Sequence, residues 1–239
     1  MRRAHLLTAA LAVVPALALP SSAGAAASCS FDAPTATVQV QMLSARVVVG
    51  RAGAGILVDG RTCAASVNTA RRIVVASDFP PAADTVVVDE SHGRVPTVFA
   101  LTGPGGDTME VIGTPGADHY IVHDALGASI DLDTDVDPVL ISTDVARVVL
   151  FGKGGDDHLD ASPALDDRAS TPVEFHGGRG DDVLRGGRSG DDRVDGGPGN
   201  DRVLARDAAG DRLAGGRGFD TVRADAGDTA TGFERGGHP

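Results

Sequence analysis

The sequence predicts an all-β chain built as a parallel β-solenoid, and three observations lead to this fold class. Short runs rich in Val, Ile and Thr recur through residues 35–150, and Gly, Pro, Asn or Asp interrupts each run. After the N-terminal leader, no segment shows the 3.6-residue period of an amphipathic helix. Towards the C-terminus, Gly/Asp-rich blocks recur at a fixed interval, which indicates stacked repeats. We therefore expect an irregular, β-helix-like N-terminal half that runs into a regular C-terminal β-roll.

The first 27 residues have the pattern of a secretory signal peptide. Arg2 and Arg3 precede an apolar run from Leu6 to Leu19, and small residues follow up to Ala27. The run is shorter than the roughly 18 to 20 residues that cross a bilayer, so a cleaved leader is expected. We therefore expect a secreted, extracellular protein, free or associated with the cell surface, that does not insert into a membrane.

The composition is acidic and poor in aromatic side chains. The chain has 21 Lys and Arg against 33 Asp and Glu, a formal net charge of −12, and it contains no Trp and one Tyr. An acidic surface disfavours nucleic acid as a partner and favours cations. Aliphatic side chains must fill the core. We expect a monomer, and the sequence indicates no particular macromolecular partner.

We divide the mature chain at residue 150. Residues 28–150 are expected to form the irregular solenoid, residues 151–232 the regular roll, and residues 233–239 a tail. Residues 103–122 contain segments that look like decayed copies of the repeat. The alternative for the first part is an antiparallel β-sandwich, which would also suit its eight or so short strands.

Cys29 and Cys63 are the two cysteines of the chain. An even pair in an exported protein predicts one disulfide, which would pin the exposed first coil of a solenoid. The alternative is lipidation of Cys29, because residues 26–29 faintly resemble a lipobox. They lack the large aliphatic residue that usually lies three positions before the cysteine.

Three nine-residue blocks start 19 residues apart. They read GGRGDDVLR at 177–185, GGPGNDRVL at 196–204 and GGRGFDTVR at 215–223. Ten-residue blocks lie between them, so one coil is expected to hold two repeats. An upstream block, GKGGDDHLD at 152–160, is separated from this array by a longer excursion with two prolines.

The blocks fit the pattern G-G-x-G-x-D-x-U-x, in which U is a large aliphatic residue. In this pattern, residues 150–223 resemble the RTX, or haemolysin-type, calcium-binding repeats. The resemblance implies Ca2+ ions shared between repeats one coil apart, held by the carboxylate at position six and by turn carbonyls. The residues it implies are Asp157, Asp182, Asp201 and Asp220 with Gly178, Gly180, Gly197, Gly199, Gly216 and Gly218 on one edge, and Asp192 and Asp211 on the other.

The residues themselves give a physical reason for a metal ion. If one coil takes 19 residues, Asp182, Asp201 and Asp220 stack at the strand spacing of about 4.8 Å. Two unit charges at that distance repel by roughly 3 kcal/mol at an effective dielectric near 20. Calcium takes oxygen ligands at about 2.3 to 2.6 Å and could bridge two stacked carboxylates. We expect Asp201 to be shared by two sites, and at most one weak site at Asp192 and Asp211.

The same reasoning predicts that the roll orders on binding calcium, because its thin strands bury little apolar area. The alternative is a flexible acidic linker. A linker would not keep an aliphatic residue at position eight, as the blocks do with Leu184, Val203 and Val222.

Two other clusters are weighed as metal ligands. Asp131, Asp133, Asp135 and Asp137 alternate in DLDTDVDP and are interpreted as a solvated strand edge, with an extra weak calcium site as the alternative. We do not expect an EF-hand, because Val136 replaces the Gly and residue 142 is Ser where Glu is needed. His119 and His123, in DHYIVH, are interpreted as surface residues of a strand.

No nucleophile elbow, P-loop or Cys-His pairing is present in the sequence, so we expect no catalysis. Three functions are weighed: a stand-alone secreted calcium-binding protein, a structural or adhesive surface protein that uses the roll as a spacer, and a β-solenoid polysaccharide-active enzyme. The scarcity of aromatic residues argues against the enzyme.

Overall fold

A computed structural model describes residues 27–77, 83–101, 105–123, 129–132, 140–142, 145–161, 171–188, 191–205 and 210–234. The expected signal peptide lies outside these residues up to position 26, as do Asp133, Asp135 and Asp137 and most of the predicted tail. No helix in the described ranges is long and apolar enough to cross a membrane.

Two sheets make up the described fold. The first contains, in spatial order, β1 (Ser28–Asp32), β2 (Thr37–Gln41), β6 (Arg72–Ala76), β8 (Thr97–Leu101), β12 (Leu140–Ser142), β11 (Ser129–Leu132), β10 (His119–His123), β14 (His158–Asp160), β16 (Val183–Arg185), β18 (Arg202–Leu204) and β20 (Thr221–Arg223). The second contains β21 (Thr229–Thr231), β19 (Arg212–Arg217), β17 (Arg193–Pro198), β15 (Val173–Arg179), β13 (Val145–Gly154), β9 (Asp107–Ile112), β7 (Thr85–Asp89), β3 (Arg46–Ala52), β4 (Gly55–Val58) and β5 (Arg61–Ser66).

The chain alternates between the two sheets and pairs in parallel with the coil before it. Parallel pairing joins β2 to β6 to β8 in the first sheet and β3 to β7 to β9 in the second. This is the predicted parallel β-solenoid, and the antiparallel sandwich alternative is wrong. Antiparallel pairing joins β1 to β2, β3 to β4 to β5 in the second sheet, and β10 to β11 to β12 in the first sheet. The division predicted at residue 150 falls inside β13 and stays a prediction.

The predicted 19-residue coil is confirmed in the roll. Arg193 pairs with Arg212 in the second sheet, and Val183 pairs with Arg202 and then Arg202 with Thr221 in the first. Because every coil has the same length here, identical positions of successive repeats lie side by side.

Aliphatic rows fill the space between the sheets. In the roll, Leu159, Leu184 and Val203 form one row and are fully buried. Phe175 and Val194 face them from the second sheet and are also buried. The position-eight residues of these blocks therefore point inward, which follows from the period of two along a strand.

A disulfide closes the N-terminal end of the solenoid. Cys29 in β1 and Cys63 in β5 are bonded, with their Cα atoms 5.8 Å apart. β1 and β5 are the outermost strands of the two sheets at this end, so the bond joins one sheet to the other. The predicted disulfide is confirmed, and it uses the sulfur that the lipidation alternative would need.

Candidate metal sites at the turns of the roll

Buried aspartates line one edge of the solenoid, and we call them the aspartate column. Its members each follow a strand of the second sheet and precede a strand of the first, and they are 0 to 4% exposed: Asp118, Asp157, Asp182, Asp201 and Asp220. Four of them hold position six of a Gly/Asp-rich block, and Asp118 holds the same position in the decayed block at 113–121. The fold therefore stacks carboxylates in a buried environment.

One oxygen of each carboxylate accepts a hydrogen bond from the preceding coil. The amide nitrogen of Asp182 donates to Oδ1 of Asp201 at 2.9 Å, and the amide of Asp201 donates to Oδ1 of Asp220 at 2.8 Å. At the end of the column the amide of Asp220 donates to Oε2 of Glu234 at 2.6 Å. These hydrogen bonds fix the position of each carboxylate along the solenoid axis relative to the carboxylates of the adjacent coils.

The other oxygen has no hydrogen-bond donor in four members of the column. Oδ2 of Asp157, Asp182, Asp201 and Asp220 is buried without a partner. A buried carboxylate oxygen without a donor destabilises the folded state, because the group has lost its hydrogen bonds to water and no protein donor replaces them. The column therefore presents a regular series of oxygens that a cation would satisfy.

Glycine at position one of each block leaves room beside this oxygen. A Cβ on Gly177 would collide with Oδ2 of Asp182 and with the carbonyl oxygen of Gly196, which belongs to the next coil. The same arrangement recurs at Gly152, Gly196 and Gly215. Each cradle thus brings together a carboxylate oxygen and a carbonyl oxygen from adjacent coils.

The donor set of these cradles fits calcium. Carboxylate and carbonyl oxygens are the ligands of Ca2+, whereas Zn2+ prefers nitrogen and sulfur. In the described ranges no point is surrounded by three or more His, Cys, Asp or Glu side chains, so backbone carbonyls must complete any site. Asp182 Oδ2 and the Gly196 carbonyl would hold an ion in one cradle, and Asp201 Oδ2 and the Gly215 carbonyl in the next.

Burial raises the pKa of three column carboxyls, those of Asp157, Asp182 and Asp201. The pKa of Asp157 and of Asp182 is raised to about 7, and that of Asp201 to about 6. Desolvation is the largest cause and the negative charge of the next carboxylate adds to it, whereas the hydrogen bond from the preceding amide lowers the pKa. The metal-free column is therefore electrostatically unfavourable when fully ionised.

The glycines at positions two and four shape the turn. Gly178 has φ +110° and Gly180 has φ +134°, in the left-handed region that side chains disfavour. Their counterparts Gly197, Gly216 and Gly218 also have positive φ. Gly199 lies outside that region, but the carbonyl of Gly180 lies against its Cα and leaves no space for a Cβ.

The opposite edge carries a shorter stack of buried aspartates, Asp192 and Asp211. The amide of Asp192 donates to Oδ1 of Asp211 at 3.1 Å. Unlike the four column members whose Oδ2 has no donor, Asp192 has a protein donor for each oxygen, because Val173 donates to Oδ1 at 2.9 Å and Gly187 to Oδ2 at 2.7 Å. Fewer oxygens are thus left for a cation at this edge.

An arginine neutralises the upstream end of the aspartate column. The guanidinium of Arg94 donates to Oδ1 of Asp118 at 2.7 Å, to the hydroxyl of Tyr120 at 2.6 Å and to Glu90. Glu90 and Asp118 are 1 and 4% exposed. Oδ2 of Asp118 accepts the amide of Thr114 at 2.6 Å. This coil therefore carries its own internal cation, a feature that the sequence analysis missed.

The remaining candidates lie elsewhere. His119 is on strand β10, as predicted, and its ring stacks on that of His158 with centroids 4.1 Å apart. The side chains of His123 and Asp131 are outside the described part of the structure, like Asp133, Asp135 and Asp137, so their roles stay predictions.

The fold and the buried column define a parallel β-roll with acidic, glycine-rich turns. Residues 174–203 and 207–228 match the RTX calcium-binding nonapeptide repeat in four copies. This part of the chain is thus a set of RTX repeats, and RTX nonapeptide repeats bind Ca2+. Searches among curated proteins and among solved structures gave no significant match.

Proposed function

We propose that the protein is a secreted, non-catalytic calcium-binding protein whose roll orders when calcium binds the aspartate column. The observation that carries the proposal is the series of buried Oδ2 atoms without hydrogen-bond donors at Asp157, Asp182, Asp201 and Asp220. Calcium would supply the positive charge that this series lacks and would take these oxygens as ligands. The millimolar calcium found outside cells would then stabilise the native state through mass action.

The ligands proposed for each ion come from two adjacent coils. Oδ2 of Asp182 and the carbonyl of Gly196 flank one cradle, and Oδ2 of Asp201 and the carbonyl of Gly215 flank the next. The carbonyls of the glycines at positions two and four are proposed as further ligands. Asp192 and Asp211 are proposed as a weaker site, because Asp192 already has a donor for each oxygen.

A calcium titration followed by far-UV circular dichroism tests this function. In excess chelator we expect reduced β signal, and calcium should restore it cooperatively while magnesium at the same concentration should not. Magnesium fits poorly because it requires near-octahedral geometry at about 2.0 to 2.1 Å. A spectrum that is complete in chelator and unchanged by calcium would refute the proposal.

A second candidate function is a calcium-stabilised spacer in a structural or adhesive surface protein. The feature that favours it is the uninterrupted run of parallel pairing from β9 through β13 to β21, which gives a continuous scaffold. Single-molecule pulling distinguishes this role, because a load-bearing spacer should require much higher force to unfold in calcium than in chelator.

A further inference from the structure

A second pair of stacked, buried aspartates lies outside the RTX repeats. Asp84 and Asp107 are 2 and 1% exposed and immediately precede or begin strands β7 and β9. They lie on the edge of the solenoid where the chain passes from the first sheet to the second, which is the edge of Asp192 and Asp211. The matched repeats begin only at residue 174.

The pair reproduces the backbone arrangement of the aspartate column. The amide of Asp84 donates to Oδ1 of Asp107 at 2.9 Å, and the amide of Thr108 donates to the carbonyl of Asp84 at 2.8 Å. In the column, the amide of Asp182 donates to Oδ1 of Asp201 at 2.9 Å. The amide of Arg202, the residue after Asp201, likewise donates to the carbonyl of Asp182 at 2.8 Å. The two edges thus contain the same two-coil unit.

A buried oxygen of this pair also has no hydrogen-bond donor. Oδ1 of Asp84 is fully enclosed and without a partner, as Oδ2 is in the column. No ion pair within the described ranges involves Asp84. The Glu90 and Asp118 pair shows how this fold can neutralise buried carboxylates with a side chain, because Arg94 contacts both. For Asp84 the described structure provides no such cation.

We propose that Asp84 and Asp107 form a calcium site in the N-terminal half, on the edge opposite to the aspartate column. Two carboxylates on adjacent coils, one with an enclosed oxygen lacking a donor, are suited to a hard divalent cation with oxygen ligands. The site goes beyond the proposed function of the roll, because both of its residues lie outside the matched repeats. It would place calcium at both the irregular and the regular part of the solenoid.

Native mass spectrometry of the full chain in calcium tests the proposal by counting bound ions. The variants Asp84→Asn and Asp107→Asn should each bind one ion fewer than the wild type. The control Asp89→Asn, at the other end of β7, should bind the wild-type number, because Asp89 Oδ1 already accepts the amide of Ser91 at 3.0 Å. Wild-type stoichiometry in Asp84→Asn would overturn the site.

A second measurement keeps the test decisive if the variants fail to fold. Wild-type crystals soaked in terbium should show an anomalous difference peak beside Oδ1 of Asp84, and its absence would overturn the proposal. The site is also separable from the roll. Asp201→Asn should remove ions from the column and leave the peak at Asp84, so failure of one proposal is distinguishable from failure of the other.

Discussion

The amide nitrogen of Asp157 donates a hydrogen bond of 2.8 Å to Oδ1 of Asp182, although 25 positions separate them. The upstream block therefore stacks directly on the main array, and His158 pairs with Val183 in the same step. Asp182 has a column neighbour on each side, as Asp201 has. The expectation that Asp201 is the carboxylate shared by two sites assumed that the stack begins at Asp182. In the structure the stack continues to Asp157, so Asp182 occupies an interior position like that of Asp201.

The first prediction concerns the interior carboxylates. Asp182→Asn and Asp201→Asn keep the Oδ1 acceptor but remove the charge, so each should weaken calcium binding at least about tenfold and to a similar extent. Calorimetric titration measures the affinity, with Asp195→Asn on the exposed outer face of β17 as control. A much larger effect at Asp201 would mean that the coil of Asp157 takes no part in binding.

The second prediction concerns the cradle beside each carboxylate. Gly196→Ala places a Cβ against Oδ2 of Asp201 and the carbonyl of Gly215, so it should abolish the calcium-induced change in circular dichroism at that coil. Gly210→Ala is the matched control, because its Cβ would meet the carbonyl of Gly227 at 3.4 Å, an ordinary contact. Equal calcium responses in both variants would contradict the cradle as a binding site.

The third prediction concerns pH. Burial raises the pKa of Asp157 and Asp182 to about 7 and that of Asp201 to about 6, against an unfolded value of 3.8. Between pH 4 and pH 7 the folded, metal-free protein therefore binds more protons than the unfolded chain, so its stability should fall as pH rises through this window. Calcium competes with these protons, and the increase in Tm that it causes should be larger at pH 8 than at pH 5.5.

Thermal unfolding in chelator and in calcium, at a series of pH values and constant ionic strength, measures both trends. The triple variant Asp157→Asn, Asp182→Asn, Asp201→Asn serves as control and should lose most of the pH dependence in chelator. A Tm in chelator that rises steadily from pH 4 to pH 7 would contradict the stated direction.

The fourth prediction concerns Arg94. Arg94→Gln leaves the buried carboxylates of Glu90 and Asp118 without a cation, and it should lower the free energy of unfolding by about 3 kcal/mol. Arg46→Gln is the control: its ion pair with Glu110 is long, at 3.8 Å, and Arg46 is half exposed, so the loss should be below about 1 kcal/mol. Urea unfolding in saturating calcium measures both, and equal losses would show that Arg94 is not a required counter-ion.

The fifth prediction concerns the disulfide. Cys29 and Cys63 are 34 positions apart, and the chain-entropy relation for a loop of that size gives about 3 to 4 kcal/mol of stabilisation. The double variant Cys29→Ser, Cys63→Ser should lose about this amount in urea unfolding. The calcium midpoint of the roll should stay unchanged, because the bond lies at the opposite end of the solenoid. A shifted midpoint would indicate that the two ends are energetically coupled.

The sequence was sufficient to predict the features that depend on local pattern. The fixed interval between blocks gave the 19-residue coil, and the aliphatic residue at position eight gave the inward rows at Leu184 and Val203. The even cysteine pair gave the disulfide at the first coil. Each of these follows from residue type and spacing within one or two coils.

The features that the sequence did not predict depend on register between irregular coils. Arg94 reaches Asp118 across 24 positions, and Asp84 meets Asp107 across 23, and neither separation equals the 19-residue interval of the regular blocks. The block pattern places a glycine at position one without giving a reason for it, because the carbonyl of that glycine lies beside the column only when the coils are stacked. The invariance of this glycine across all four blocks, at Gly152, Gly177, Gly196 and Gly215, is the signal that could have indicated a closer role.

Coil length varies widely along this solenoid, and the consequence is a modular architecture. Steps of 23, 25 and 39 residues in the paired strands bring equivalent positions back into line just as the 19-residue steps do. The 39-residue step contains β11 and β12, which are inserted between β8 and β10 in the first sheet, and the strands beyond the insertion pair in parallel again. Whole segments could therefore be deleted or inserted between the strands. The order of the remaining strands would be kept as long as each of them still pairs in register with its neighbours.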